Sequence, residues 1–280
     1  MRLLSIGDRI ENGGYDLHSR FDRVVNFTDG RRLVSLVESS IGAGPFHLVV
    51  EDHVPRQASR LTVDSGVYRT DQEVLEASSA KRFNSLIPFG SACPDGLALR
   101  LDEMEKRLVE AAGAKSLAFL LDESREKSFR SSLEHGFVEC IKQGTKELFQ
   151  GERESGVRLL KGCGFGLTPS GDDYLSGVLL ALRAWQSWTD AVSETDIQQL
   201  YDTALGEQLI SNAFLQMAFE GRAMESVRSL AQAVFFEGEK TIPAAVGKLC
   251  SLGESSGADW GTGFLMALRN GMDGKPAASS

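Results

Sequence analysis

The sequence predicts an α+β chain: a small β-rich N-terminal domain over residues 1–100, then a mainly helical C-terminal domain over residues 101–280. Three observations predict it. Short β-branched and aromatic runs, separated by turn residues, recur through the first domain. From Leu101 onward the apolar residues take up helical spacing instead. Finally, one segment is written twice at a constant offset of 86 residues (170 to 256), each time opening an apolar helix.

In chain order, segments 21–27, 32–37 and 46–50 are the clearest strands. The first two fit a hairpin closed around Asp29-Gly30, a pair suited to a tight turn with left-handed residues. Segments 87–90 and 93–96, rich in Pro and Gly, form a loop-rich junction. Leu101, Met104, Leu108 and Ala111/Ala112 then mark a helix, as do Phe129, Leu133, Phe137, Ile141 and Leu148 further on. Helices are expected near 124–150, 153–161, 170–190, 194–219, 223–236, 240–252 and 258–271. The small, polar tail 272–280 is expected to fray.

Composition excludes several classes of function. Of the 280 residues 42% are hydrophobic and 25% charged, the balance of a soluble globular protein. A net charge of −9 argues against nucleic acid or an anionic membrane as the main partner. The longest apolar candidate is interrupted by Arg183, so no membrane span of about 18 residues is expected, and the run at the N-terminus is too short for a signal peptide. Four scattered cysteines (Cys93, Cys140, Cys163, Cys250) suit reduced thiols rather than a zinc cluster or a disulfide frame. The expected location is the cytoplasm.

The chemistry concentrates in Gly162-Cys163-Gly164-Phe165-Gly166-Leu167-Thr168-Pro169-Ser170-Gly171-Asp172-Asp173. Alternating glycines let backbone approach a ligand closely, and the helix that follows directs unpaired N–H groups and its positive end at the loop. That is an anion site: phosphate or a substrate carboxylate held on the amides of Gly164 to Ser170, helped by the hydroxyls of Thr168 and Ser170. No P-loop, dinucleotide fingerprint or serine-hydrolase elbow is present. Asp172 and Asp173 are the catalytic candidates. They could hold Mg²⁺ against the bound anion, the one cofactor the sequence suggests, or accept hydrogen bonds from an N–H-rich urea or carbamoyl group.

The second copy, Ser256-Gly257-Ala258-Asp259, repeats Ser170-Gly171-Asp172-Asp173 with the first aspartate missing. Both read as a variant capping box, with Ser at the cap and Asp173 or Asp259 at the third helical position. Ser256, Gly257 and Asp259 join Gly162, Gly164, Gly166, Thr168, Ser170 and Gly171 as anion-binding candidates. Gly177 and Gly263 match across the repeat, so a close helix crossing with pseudo-twofold symmetry is expected there. Arg183 and Arg269 also match and are read as surface or interface residues. Cys163 sits where a helix N-terminus can lower a thiol pKa, but a small buried thiol is the favoured reading. His47 reads as a satisfied strand residue, and the tract 207–212 as either pocket lining or helix–helix contact.

These residues resemble a bacterial family whose hallmark is Gly-x-Gly-x-Gly-Leu-Thr-Pro-Ser-Gly-Asp-Asp before an apolar helix with an early glycine, here Gly162 through Asp173 and then Gly177. Gly253-Glu254-Ser255-Ser256-Gly257-Ala258-Asp259 and the segment 21–50 look similar to the family as well. The family includes the AllH-type subunit of oxamate carbamoyltransferase from anaerobic allantoin breakdown. The resemblance implies a transferase subunit for the reaction of oxalurate and phosphate to oxamate and carbamoyl phosphate, with partner subunits that include an acyl-CoA-synthetase-like protein. It implies no catalytic role for any one residue. The leading expectation is thus a subunit of a carbamoyltransferase-like complex that binds a small anion at residues 162–173. A stand-alone Mg-dependent phosphotransferase or kinase and a non-catalytic scaffold are the alternatives.

Overall fold

The computed structural model describes residues 1–272 and is α+β. Nine strands come first: β1 (Leu3–Gly7), β2 (Gly13–Arg20), β3 (Val24–Thr28), β4 (Leu33–Glu38), β5 (His47–Val50), β6 (Arg60–Asp64), β7 (Val67–Thr70), β8 (Val74–Leu75) and β9 (Lys81–Phe83). Nine α-helices follow: α1 (Leu97–Ala111), α2 (Ser132–Phe149), α3 (Arg153–Leu160), α4 (Ser170–Trp188), α5 (Glu194–Ala204), α6 (Leu209–Phe219), α7 (Glu225–Gln232), α8 (Ile242–Cys250) and α9 (Ser256–Met272). The chain forms two compact units. One is Met1–Leu86 with Arg222–Arg228; the other is Ile87–Gly221 with the chain from Ser229 onward.

The first unit is one sheet in the order β8-β7-β6-β2-β3-β4-β5-β1-β9, with parallel pairing only at β4/β5 and β1/β9. The expected hairpin is there: β3 and β4 pair antiparallel from Thr28↔Leu33 to Val24↔Val37. Alternation puts Val25, Phe27, Val34 and Leu36 into the core with Leu48, Val50, Leu61 and Val63. The opposite face of β3 and β4 carries a buried polar pair, Ser35 Oγ donating to Asn26 Oδ1 at 2.7 Å. His47 is buried with Nδ1 3.0 Å from the Gly42 carbonyl, and desolvation pulls its pKa down to about 4. It is a satisfied strand residue.

In the second unit α4 is buried continuously from Ser170 to Leu182, which is why it is apolar on every side. Its closest partner is α9; α6 and α5 pack on it too, while α1 packs on α8 and α9. Three expected helices are interrupted. The one read at 124–150 is a 3-10 segment, Glu123–Ser128, followed by α2, because Ser131 and Glu134 form a capping box that starts a new helix. The one read at 194–219 breaks between α5 and α6. There the Asn212 side chain accepts from the Gly206 N–H at 2.9 Å and donates to the Gly206 carbonyl at 2.8 Å. The tract 207–212 therefore closes a turn. The one read at 223–236 is α7 with a π-helical turn, Ala233–Glu237. Apart from Met272, which ends α9, the tail expected to fray lies outside the described residues. No helix among the described residues is long and apolar enough to cross a membrane.

Candidate functional site

The two copies of the repeat meet. At the crossing of α4 and α9, a Cβ on Gly177 would lie 2.1 Å from the Trp260 carbonyl oxygen, and one on Gly263 would lie 2.1 Å from that of Tyr174. Tyr174 and Trp260 are themselves equivalent in the repeat, so the two contacts exchange partners as a pseudo-twofold requires. The symmetry extends one helix back. A Cβ on Gly171 would lie 1.9 Å from the Leu160 oxygen of α3, and one on Gly257 would lie 1.9 Å from the Leu249 oxygen of α8. The repeated unit is a helix hairpin, α3–α4 and α8–α9, whose second helices pack face to face.

This pairing brings together Thr168, Ser170, Asp173, Ser256 and Asp259 from both helix starts. Thr168 Oγ1 donates to Asp173 Oδ2 at 3.0 Å and lies 3.0 Å from Ser256 Oγ, bridging the copies. The hydroxyls cross over: Ser256 faces the Asp173 carboxyl and Ser170 faces that of Asp259. Asp259 Oδ1 accepts from the Leu117 N–H at 2.6 Å, while Oδ2 is buried without a hydrogen-bonding partner. Ser170 and Ser255 are near enough to that carboxyl to favour its ionised form but do not reach Oδ2 in hydrogen-bonding geometry. Leu117, in a 3-10 segment (Leu117–Leu120), carries no sequence signal that could have revealed it.

The capping-box expectation fails. Both serines lie inside the first helical turn; the residue capping α4 is Pro169, which offers no side-chain cap. The loop serves instead, with the Gly171 N–H donating to the Cys163 carbonyl at 2.8 Å. Burial, aided by the Asp259 charge, pushes the Asp173 pKa well above the usual carboxylate range. Burial also moves Asp259 up to about 6, against the pull of the Leu117 N–H.

Gly162, Gly164 and Gly166 have φ of 68°, 144° and 102°. At these positive φ values a side chain would be strained. The amides of Gly164 through Thr168, and of Ser170, donate to no group among the described residues. The loop carries two exposed apolar side chains, Phe165 at 54% and Leu167 at 41%, and the Phe165 ring sits 5.5 Å from Phe137 of α2.

Asp172 and Asp173, adjacent in sequence, diverge. Asp172 Oδ1 turns back to accept from the Gly162 N–H at 2.7 Å and ties down the base of the loop. Among the described residues no group of three or more His, Cys, Asp or Glu is disposed to hold a metal. Cys163 also departs from the activated thiol: burial pushes it up to about 12, with Cys140 and Asp172 nearby adding to the shift. Arg183 and Arg269 stand away from the site, paired with Glu194 and with Asp102 and Glu105 respectively. Arg269 borders an open, acidic groove of about 560 Å³ that also includes Asp102, Glu105, Glu110 and Asp122.

Residues 160–268 match the family of the oxamate carbamoyltransferase subunit AllH. The match begins at the last residue of α3 and ends within α9, so it takes in the glycine loop and both repeated helix starts. No solved structure matches the chain.

Proposed function

We propose that the chain is a carbamoyltransferase subunit of the oxalurate/oxamate type, and that it binds a small anionic substrate where the 162–173 loop meets the N-termini of α4 and α9. One observation carries the reading: the family match coincides with the segment in which two helix N-termini, a left-handed glycine loop and a buried carboxyl pair converge. Phosphate or a substrate carboxylate is received by the amides of Gly164 to Ser170, with the Thr168 and Ser256 hydroxyls beside them. Such preorganised donors also stabilise the oxyanion that forms when phosphate adds to a carbamoyl carbon. Gly162, Gly171 and Gly257 shape this floor, while Asp172 fixes the loop and Asp173 and Asp259 lie beneath it. The site acts within a complex whose other subunits include an acyl-CoA-synthetase-like protein, in the cytoplasm.

The test is gentle purification from the native cells, identification of co-purifying chains by mass spectrometry, and assay of the assembly with oxalurate and phosphate. Formation of carbamoyl phosphate by an assembly containing an acyl-CoA-synthetase-like chain supports the reading. A homo-oligomer that converts neither substrate overturns it.

A further inference from the structure

Asp173 and Asp259, equated by the repeat, are buried at 8% and 0% exposure, and no cation among the described residues neutralises them. Arg125, whose charge acts on Cys250 beside Asp259, directs its two terminal guanidinium nitrogens at the carbonyls of Val109, Ala112 and Gly113. Two bare carboxylates so placed repel each other and have lost their water. The hydrogen bonds point the same way. Asp173 Oδ2 is served by Thr168 and Asp259 Oδ1 by Leu117, yet Asp259 Oδ2 lacks a donor. A proton on the Asp173 carboxyl relieves the repulsion between the two.

We propose that Asp173 and Asp259 act as one carboxyl pair holding a single proton between the N-termini of α4 and α9, and that this pair handles the proton carbamoyl transfer must move. The proposal rests on the functional reading above. In transfer from oxalurate to hydrogen phosphate, a phosphate oxygen bonds to the carbamoyl carbon and the bond from that carbon to the oxamate nitrogen breaks. Hydrogen phosphate must lose a proton and the departing nitrogen must gain one. A pair with one proton does both: its carboxyl protonates the nitrogen while its carboxylate takes the proton of phosphate. The pair ends the cycle with one proton, as it began. Thr168 and Ser256, both half-buried and hydrogen-bonded above Asp173, are the route between the pair and the loop. Among the described residues, the other titratable groups beside the pair are Asp172, whose Oδ1 is committed to the Gly162 amide, and the thiol of Cys250, which burial keeps neutral.

The experiment labels the aspartate carboxyl carbons of the full chain with ¹³C and follows them by NMR against pH, in wild type, Asp173→Asn and Asp259→Asn. One protonated carboxyl at pH 7 is expected, lost in Asp173→Asn and titrating at lower pH in Asp259→Asn. Both carboxyls ionised at pH 7 overturns the pair. Both variants are isosteric and uncharged, so each should melt no lower than wild type at pH 7. Should either fail to fold, Ser256→Ala leaves both carboxyls in place and should still shift the titration. In the assembled complex, each Asn variant should slow carbamoyl phosphate formation by about 100-fold or more, and Ser256→Ala should move the pH profile. Asn variants with wild-type rates overturn the pair and leave the functional reading standing. A wild-type complex that transfers nothing overturns that reading, and the pair's role with it.

Discussion

The Ser170 and Ser256 copies use the same framework for different ends. Each opens a buried helix one residue after a non-helical position, packs a glycine against the carbonyl of the preceding helix, and crosses its twin at a second glycine. They differ in the connection leading in. The second copy joins α8 to α9 through the five residues 251–255, while the first joins α3 to α4 through the nine residues 161–169, with three glycines at positive φ. They differ again where Asp172 of the first copy faces the loop and Ala258 of the second does not. The shared features account for the helix pair. The unshared ones build a longer loop, with three glycines at positive φ and its base tied to Asp172, on one side of the pseudo-twofold only, so the symmetry supplies the scaffold and its breaking supplies the loop.

The strongest way to break the comparison is at the crossing. Gly177→Ala and Gly263→Ala each drive a methyl to 2.1 Å from a backbone oxygen on the other helix. Neither helix can yield without separating the pair, so each substitution should destabilise by about 4 kcal/mol or more, above the ordinary range for overpacking. Urea unfolding measures both. Near-equal losses sustain the pseudo-twofold, and tolerance of alanine at one position alone would contradict it.

Next in size is the effect of pH. Asp259 moves up from 3.8 to about 6. Between those values the native chain holds more protons than the unfolded one, so stability falls as pH rises and the loss is complete above pH 6. At about 1.4 kcal/mol per pKa unit the loss is on the order of 3 kcal/mol. Asp259→Asn keeps an acceptor for the Leu117 N–H and carries no charge, so it should flatten the stability profile between pH 4 and 7. A profile as steep as wild type would mean that Asp259 is not the group responsible. Asp173, also raised, adds a loss at higher pH with the same sign.

Much of this arrangement was legible in the sequence. The 86-residue offset and the matched Gly177 and Gly263 anticipated the crossing, because close helix approach requires a missing side chain at one repeated position. Asp29-Gly30 anticipated the β3–β4 hairpin through its turn chemistry. The strands missed, such as β2 with Gly13, Gly14, Asp16 and Arg20, are polar and owe their pairing to the neighbours β3 and β6. The role of Ser170 was misread because Ser-x-x-Asp is a local signal, whereas the first-turn amide is satisfied by the carbonyl of Cys163 folding back. Nor could spacing show that Asp259 would meet the amide of Leu117, 142 positions away. Contacts made by tertiary packing leave no periodicity to read.

A smaller effect sharpens the link between the copies. Thr168→Val keeps the shape but removes the hydroxyl that joins Asp173 to Ser256. Loss of that bond should cost about 1 kcal/mol, visible as a lower urea midpoint with an unchanged slope. The same loss should be nearly absent in an Asp173→Ala background if the bond to Asp173 is what stabilises. Additive losses would assign the effect to Ser256 instead.

The smallest effect converts one copy toward the other. Asp172→Ala gives the first helix the residue found at Ala258 and takes away the acceptor for the Gly162 N–H. Gly162 is exposed, so water replaces the carboxylate and the global loss should stay within about 1 kcal/mol. The loop should respond more than the fold. Its anchor at Cys163 and Gly171 remains, but its base is released, so the Gly162 amide should exchange with solvent faster while the amides of α4 exchange as before. Hydrogen exchange read by mass spectrometry separates these cases. Faster exchange confined to the loop assigns Asp172 to holding the asymmetric element in place; faster exchange spreading into α4 would make it part of the symmetric framework.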